Sequence, residues 1–159
     1  MNHFALHDAA IFTVDPGNRV IPRGTLIVED GRISAVGPSD ELIIPPGMPV
    51  IDASGHALLP GLIDAHSHSS LMRGVTENMQ LMEWLPYYQL EHRALTEDYA
   101  FHSARLCYLD ALKSGTTCVM DMYRFMHRCA DAAGEIGLRV NLAPYVADEP
   151  GNDFFATRA

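Results

Sequence analysis

Cysteine is scarce in this chain: Cys107, Cys118 and Cys129 are the only three, and none stands in a C-x-x-C pair. An odd, scattered set argues against a disulfide framework and points to a reduced, cytoplasmic setting. The three read as small buried apolar residues. Basic residues are scarce too. Eleven Lys and Arg face 20 Asp and Glu, the net charge is −9, and Lys113 is the one lysine. Binding a phosphate backbone draws on clustered Lys and Arg, so nucleic acid is excluded as a partner. The acidic surface reads as solubility. No apolar run approaches the ~20 residues of a membrane span, which argues against a membrane partner. Met1-Asn2-His3-Phe4 lacks the basic region and apolar core of a secretory leader. What is present is 48% hydrophobic residues in a chain of 159, enough for a globular core.

Residues 1–57 carry β signals. Ala10–Val14 forms a strand stopped by Asp15-Pro16-Gly17-Asn18. Thr25–Glu29 and Arg32–Val36 flank Asp30-Gly31, the pair that a type I′ hairpin turn demands. Val50–Asp52 is a further short strand. The rhythm changes at residue 58, where one strand is expected over 58–65. A short amphipathic helix around Leu81–Leu85 is expected to stop at Pro86. Thr96 suits an N-cap, with Glu97 and Asp98 in the first turn, for a helix running to Lys113 and stopped at Gly115. A buried strand follows over 116–120 and ends at Asp121. A helix spans Phe125–Ile136 and stops at Gly137, and a strand runs over 138–143. Phe154-Phe155 opens one more helix. Helix, glycine, strand occurs twice, the rhythm of βα units on a parallel sheet.

The chemistry concentrates in Pro60-Gly61-Leu62-Ile63-Asp64-Ala65-His66-Ser67-His68-Ser69. Leu58-Leu59 and Leu62-Ile63 read as a buried strand that delivers His-x-His at its end. Alternation puts His66 and His68 on one face, with Asp64 one step deeper on the same face. Two imidazoles so placed can take two corners of a metal's shell. Asp64 is a candidate to fix an imidazole tautomer from behind, or a carboxylate that bonds backbone. Asp121 reads as structural support. The other six histidines are His3, His7, His56, His92, His102 and His127; His92, His102 and His127 read as surface or half-buried helix residues.

PGLIDAHSHS resembles the first barrel strand of the amidohydrolase superfamily. The likeness is to the branch that holds cytosine and guanine deaminases, deaminases acting on S-adenosylhomocysteine, and triazine chlorohydrolases. Arg73-Gly74, Leu81-Met82-Glu83-Trp84-Leu85, Ser114-Gly115-Thr116-Thr117 and Asp121-Met122-Tyr123 follow in the family's order. The resemblance implies an α/β fold. An N-terminal β-sandwich piece over 1–57 would be followed, over 58–159, by the first three βα units of a TIM-type (β/α)8 barrel. That barrel is incomplete here, because a whole one takes about 250 residues. It implies one divalent metal ion, zinc in the first place and iron as the alternative, with His66 and His68 as two ligands. The remaining ligands and the proton-shuttling acid fall beyond Ala159. The substrate it implies is a small nitrogen heterocycle, hydrolysed at a carbon–nitrogen bond.

In nucleoside-specific members a glutamate after the Met-Glu-Trp-Leu segment binds ribose hydroxyls, and Glu91 is the nearest match. The family's Trp-Pro before that glutamate is absent, and the loop from His68 to Arg73 is shorter. Two other readings stand beside the deaminase. One is a hydantoinase- or imidazolonepropionase-like hydrolase that opens a cyclic amide. The other is a catalytically incomplete fragment, or half of a split protein, whose open sheet edge seeks a partner. A homo-oligomer is left open.

Overall fold

The computed structural model describes residues 2–69 and 74–144. Arg73, Tyr145 and the helix expected at Phe154-Phe155 lie outside the described residues. The chain divides into two compact units, Met1–Pro60 and Gly61–Ala159.

The first unit is a five-stranded sheet. Strands β1 (Phe4–Phe12), β2 (Val20–Glu29), β3 (Arg32–Pro38) and β4 (Val50–Asp52) take the order β3-β2-β1-β4, and β5 (Ala57–Leu58) also pairs with β1. β1, β2 and β3 are antiparallel neighbours, whereas β4 and β5 run parallel to β1. The turn at Asp30-Gly31 has φ of 51° and 73°, both positive as a type I′ turn requires. The first strand starts earlier than its β-branched stretch suggests and ends at Phe12, because Val14 turns out at φ 51°. Ala5, Ile27 and Met48 form a buried cluster in this unit, with Ala35, Leu42 and Ile44 packed against it.

The second unit is a three-stranded parallel sheet, β6 (Leu62–Ser67), β7 (Thr116–Tyr123) and β8 (Arg139–Pro144), in that order. Helices α1 (Leu81–Ala94) and α2 (Glu97–Lys113) connect β6 to β7, and α3 (Met126–Ile136) connects β7 to β8. The core lies between sheet and helices: Ala104 and Tyr108 of α2, Val119 of β7, and Cys129, Ala132 and Ala133 of α3.

Three expectations are corrected. The strand expected over 58–65 is two strands, β5 and β6, and they belong to different sheets. Pro60 between them has no N–H to give a ladder. β6 itself is not buried: Leu62 is 60% and Ile63 71% exposed, since β7 is its one neighbour among the described strands. The helix expected to stop at Pro86 continues to Ala94. A capping box between Gln80 and Glu83 holds its start. Beyond the proline, Tyr88, Glu91 and His92 pack inward and hold the rest.

Gly61 has a specific steric role. A Cβ there would stand 2.2 Å from Thr117 Cγ2 and Oγ1 and 2.7 Å from Thr117 Cβ. The branched Thr117 cannot swing clear of its own Cβ, so β6 would have to part from β7. Gly61→Ala is expected to cost about 1–3 kcal/mol in urea unfolding.

Candidate metal site at the end of β6

His66 ends the exposed part of β6, and His68 follows, half-buried, just past the last strand residue. Their ring centroids are 4.8 Å apart, edge to face. His68 Nδ1 lies 2.7 Å from the Met122 carbonyl of β7. A carbonyl cannot donate, so Nδ1 carries the proton and Nε2 of the neutral ring carries the lone pair. Among the described residues no three His, Cys, Asp or Glu side chains group closely enough to hold a metal. The pair alone therefore offers two donors and not a full shell.

The pairing of β6 with β7 decides where Asp64 goes. Asp64 stands beside Val119 and Ser67 beside Asp121, so Ala65 and His66 of β6 stand opposite Met120 alone on β7. This bulge breaks the simple alternation. Asp64 and Ser67 line one cavity with Cys107, Tyr108 and Ala111 of α2. Asp64 does not follow the face shared by the histidines. Its carboxylate accepts the backbone N–H of His66 at 3.1 Å, the backbone-bonding alternative.

A ring cluster walls His68. Tyr88 of α1 lies 5.9 Å from it, His92 lies 4.1 Å from Tyr88, and Tyr123 of β7 lies 5.1 Å from His92. Trp84 meets Tyr88 edge-on at 5.4 Å. His92, expected at the surface or half-buried, is fully buried. Burial, with the Arg124 guanidinium and the His68 ring as further causes, pushes its imidazole down to about 4. Arg124 reaches back to donate to the His92 carbonyl at 2.6 Å, fastening the last turn of α1 to the end of β7. Tyr88 and His92 stand four apart on one helix, so their shared face was readable from spacing. Glu91, the substrate-contact candidate, is buried beside them at 8% exposure.

Behind the strand end, Asp121 is completely buried. It accepts from Ser69 N–H at 3.0 Å, from the Ser69 hydroxyl, and from the Tyr108 hydroxyl at 2.6 Å. Burial, with the Asp121 carboxylate beside it, pushes the Tyr108 phenol far up. Cys129 sits against Ser69, and burial pushes its thiol up to about 12. At pH 8 its thiolate fraction is about one in ten thousand. Native iodoacetamide labelling should therefore spare Cys129 and modify it only after denaturation.

Residues 57–158 match the amidohydrolase family, and the chain belongs to it. It is 36% identical over 149 residues to the 5-methylthioadenosine/S-adenosylhomocysteine deaminase of Syntrophobacter fumaroxidans, covering 91% of this chain and 34% of that protein. It is 35% identical over 146 residues to the 5'-deoxyadenosine deaminase of Methanosarcina mazei, covering 90% of this chain and 33% of that protein. Among solved structures it resembles a zinc-bound adenosine deaminase from Xanthomonas campestris, with TM-score 0.82 and 26% identity over 92% of this chain and 35% of that one. It also resembles the zinc complex of atrazine chlorohydrolase from Arthrobacter aurescens, with TM-score 0.82 and 20% identity over 96% of this chain and 39% of that one. The chain spans about a third of the length of the curated relatives it matches. Among the described residues no helix is long and apolar enough to cross a membrane.

Proposed function

We propose that this chain is the N-terminal part of a metal-dependent deaminase that hydrolyses a carbon–nitrogen bond of a small nitrogen heterocycle, of the adenosine type. In this reading residues 1–57 are a portion of a β-sandwich, and β6, β7 and β8 are the first three strands of a (β/α)8 barrel. The exposed Leu62, Ile63 and Met120 support it, because a completed barrel would cover apolar side chains of this kind.

The observation that carries the reading is the His68 ring. Its Nδ1–H is committed to the Met122 carbonyl, and its remaining nitrogen stands as a donor beside His66. Imidazole pairs of this sort suit zinc, which several related structures contain. His66 and His68 would hold the ion, with further ligands from outside this chain. When bound, the ion supplies Lewis acidity and a hydroxide nucleophile at neutral pH. This chain's own residues orient and enclose. Met122 fixes the His68 tautomer, Tyr88 and Trp84 wall the site with aromatic surface, and Glu91 is the candidate contact to a sugar hydroxyl. Asp64 is assigned to holding the strand end through the His66 amide.

The test is a panel of purine nucleosides, free bases and cyclic amides offered to the full-length protein. Ammonia release from adenosine-type substrates is expected. Ring opening without ammonia would replace the deaminase reading with the cyclic-amide hydrolase.

A further inference from the structure

We propose that Asp121 is a positioning residue that holds the His68 imidazole in place through Ser69. The proposal rests on the reading of His68 as a metal ligand and deepens it.

Regular pairing between β6 and β7 ends at Ser67 opposite Asp121. His68 and Ser69 therefore lie past the ladder, where the backbone needs other partners. Side chains supply them. The Ser69 N–H goes to Asp121 Oδ1 at 3.0 Å, and the Ser69 carbonyl accepts the Ser103 hydroxyl of α2. The Ser69 hydroxyl and the Tyr108 hydroxyl both close on Asp121 Oδ2. Ser69, Ser103, Tyr108 and Asp121 are each at most 1% exposed. The residue after His68 is thus clamped at both its N–H and its C=O, by β7 on one side and α2 on the other.

The ring of His68 is held by the next residue of the same strand, through the Met122 carbonyl. Asp121 and Met122 together act as one template, the first fixing the backbone just beyond His68 and the second its ring. A carboxylate is a costly filler for a dry site unless several donors converge on it. Three donors do so here, and two come from Ser69. A leucine could fill the space, but it could not hold the Ser69 amide.

The experiment measures zinc affinity by chelator competition in the full-length protein, with the cobalt-substituted visible spectrum as the readout of ligand geometry. Asp121→Ala is expected to weaken zinc binding about 10–100-fold and to shift the cobalt bands. Asp121→Asn keeps an acceptor for the Ser69 N–H and is expected to restore most of that loss. A merely structural role would lower the melting temperature and leave both metal readouts at wild-type values, which would overturn the proposal. Should Asp121→Ala fail to fold, Asp121→Leu, which fills the space and offers the Ser69 N–H no acceptor, carries the decision: shifted cobalt bands support the clamp and unshifted bands refute it. His68→Ala separates the two levels. Wild-type zinc affinity in His68→Ala removes the ligand reading and this proposal with it. Lost affinity there, beside unaltered Asp121→Ala, removes the positioning role alone.

Discussion

His68→Ala in the full-length protein should lose its tightly held metal and at least about a thousandfold in turnover. The size follows from what the ion contributes to hydrolysis. Lewis acidity and a nucleophile ready at neutral pH amount to several kcal/mol, and each 1.4 kcal/mol is about tenfold in rate. His68 is the sharper choice of the pair, because its ring is anchored: the Met122 carbonyl takes the Nδ1 proton and fixes which nitrogen is left as donor. His66 is exposed on its strand, and His66→Ala should show the same loss if both rings serve one ion. Metal content and turnover measured on the same preparation check this. Retained metal with retained turnover would take His68 out of the site.

Acid should destabilise the protein through His92, by up to about 3 kcal/mol. The imidazole is fully buried and pushed down to about 4, from the ordinary 6.5 that the unfolded chain restores. Between those values the unfolded state takes up a proton that the folded state refuses. Stability is therefore fully present above pH 6.5, falls as pH drops towards 4, and levels off below. Urea unfolding of metal-free protein from pH 7.5 to 4 measures it. His92→Gln should flatten that slope relative to wild type, whatever it does to absolute stability. Equal slopes in the two proteins would mean that His92 charges freely in the fold.

Part of the candidate site is legible in the sequence, and what is not has physical causes. His-x-His at the end of an apolar stretch after Pro-Gly marks a strand end that carries two neighbouring imidazoles, because spacing of two along a strand is a local property. The Asp30-Gly31 hairpin and the Thr96 cap are local in the same sense; the Thr96 hydroxyl accepts the Tyr99 N–H at 3.3 Å. The backbone bond of Asp64 is one of its two sequence readings, but its departure from simple alternation is set by pairing with β7, and nothing in Asp64-Ala65-His66 announces an extra residue. The helix past Pro86 survives on contacts made far along the chain, the packing of Tyr88 and His92 against Tyr123. The burial of His92 has the same long-range origin. Its spacing from Tyr88 marks a face, but burial of that face depends on where β7 ends and on Arg124 reaching back to α1.

His66 and His68, at the end of β6, are proposed to hold a catalytic metal. X-ray absorption at the zinc edge of the full-length, zinc-loaded protein tests it most directly. At least two imidazole nitrogens at about 2.0–2.1 Å are predicted, with a loss of imidazole scattering in the His66→Ala and His68→Ala proteins. A shell without imidazole, or one that neither substitution alters, would contradict the account.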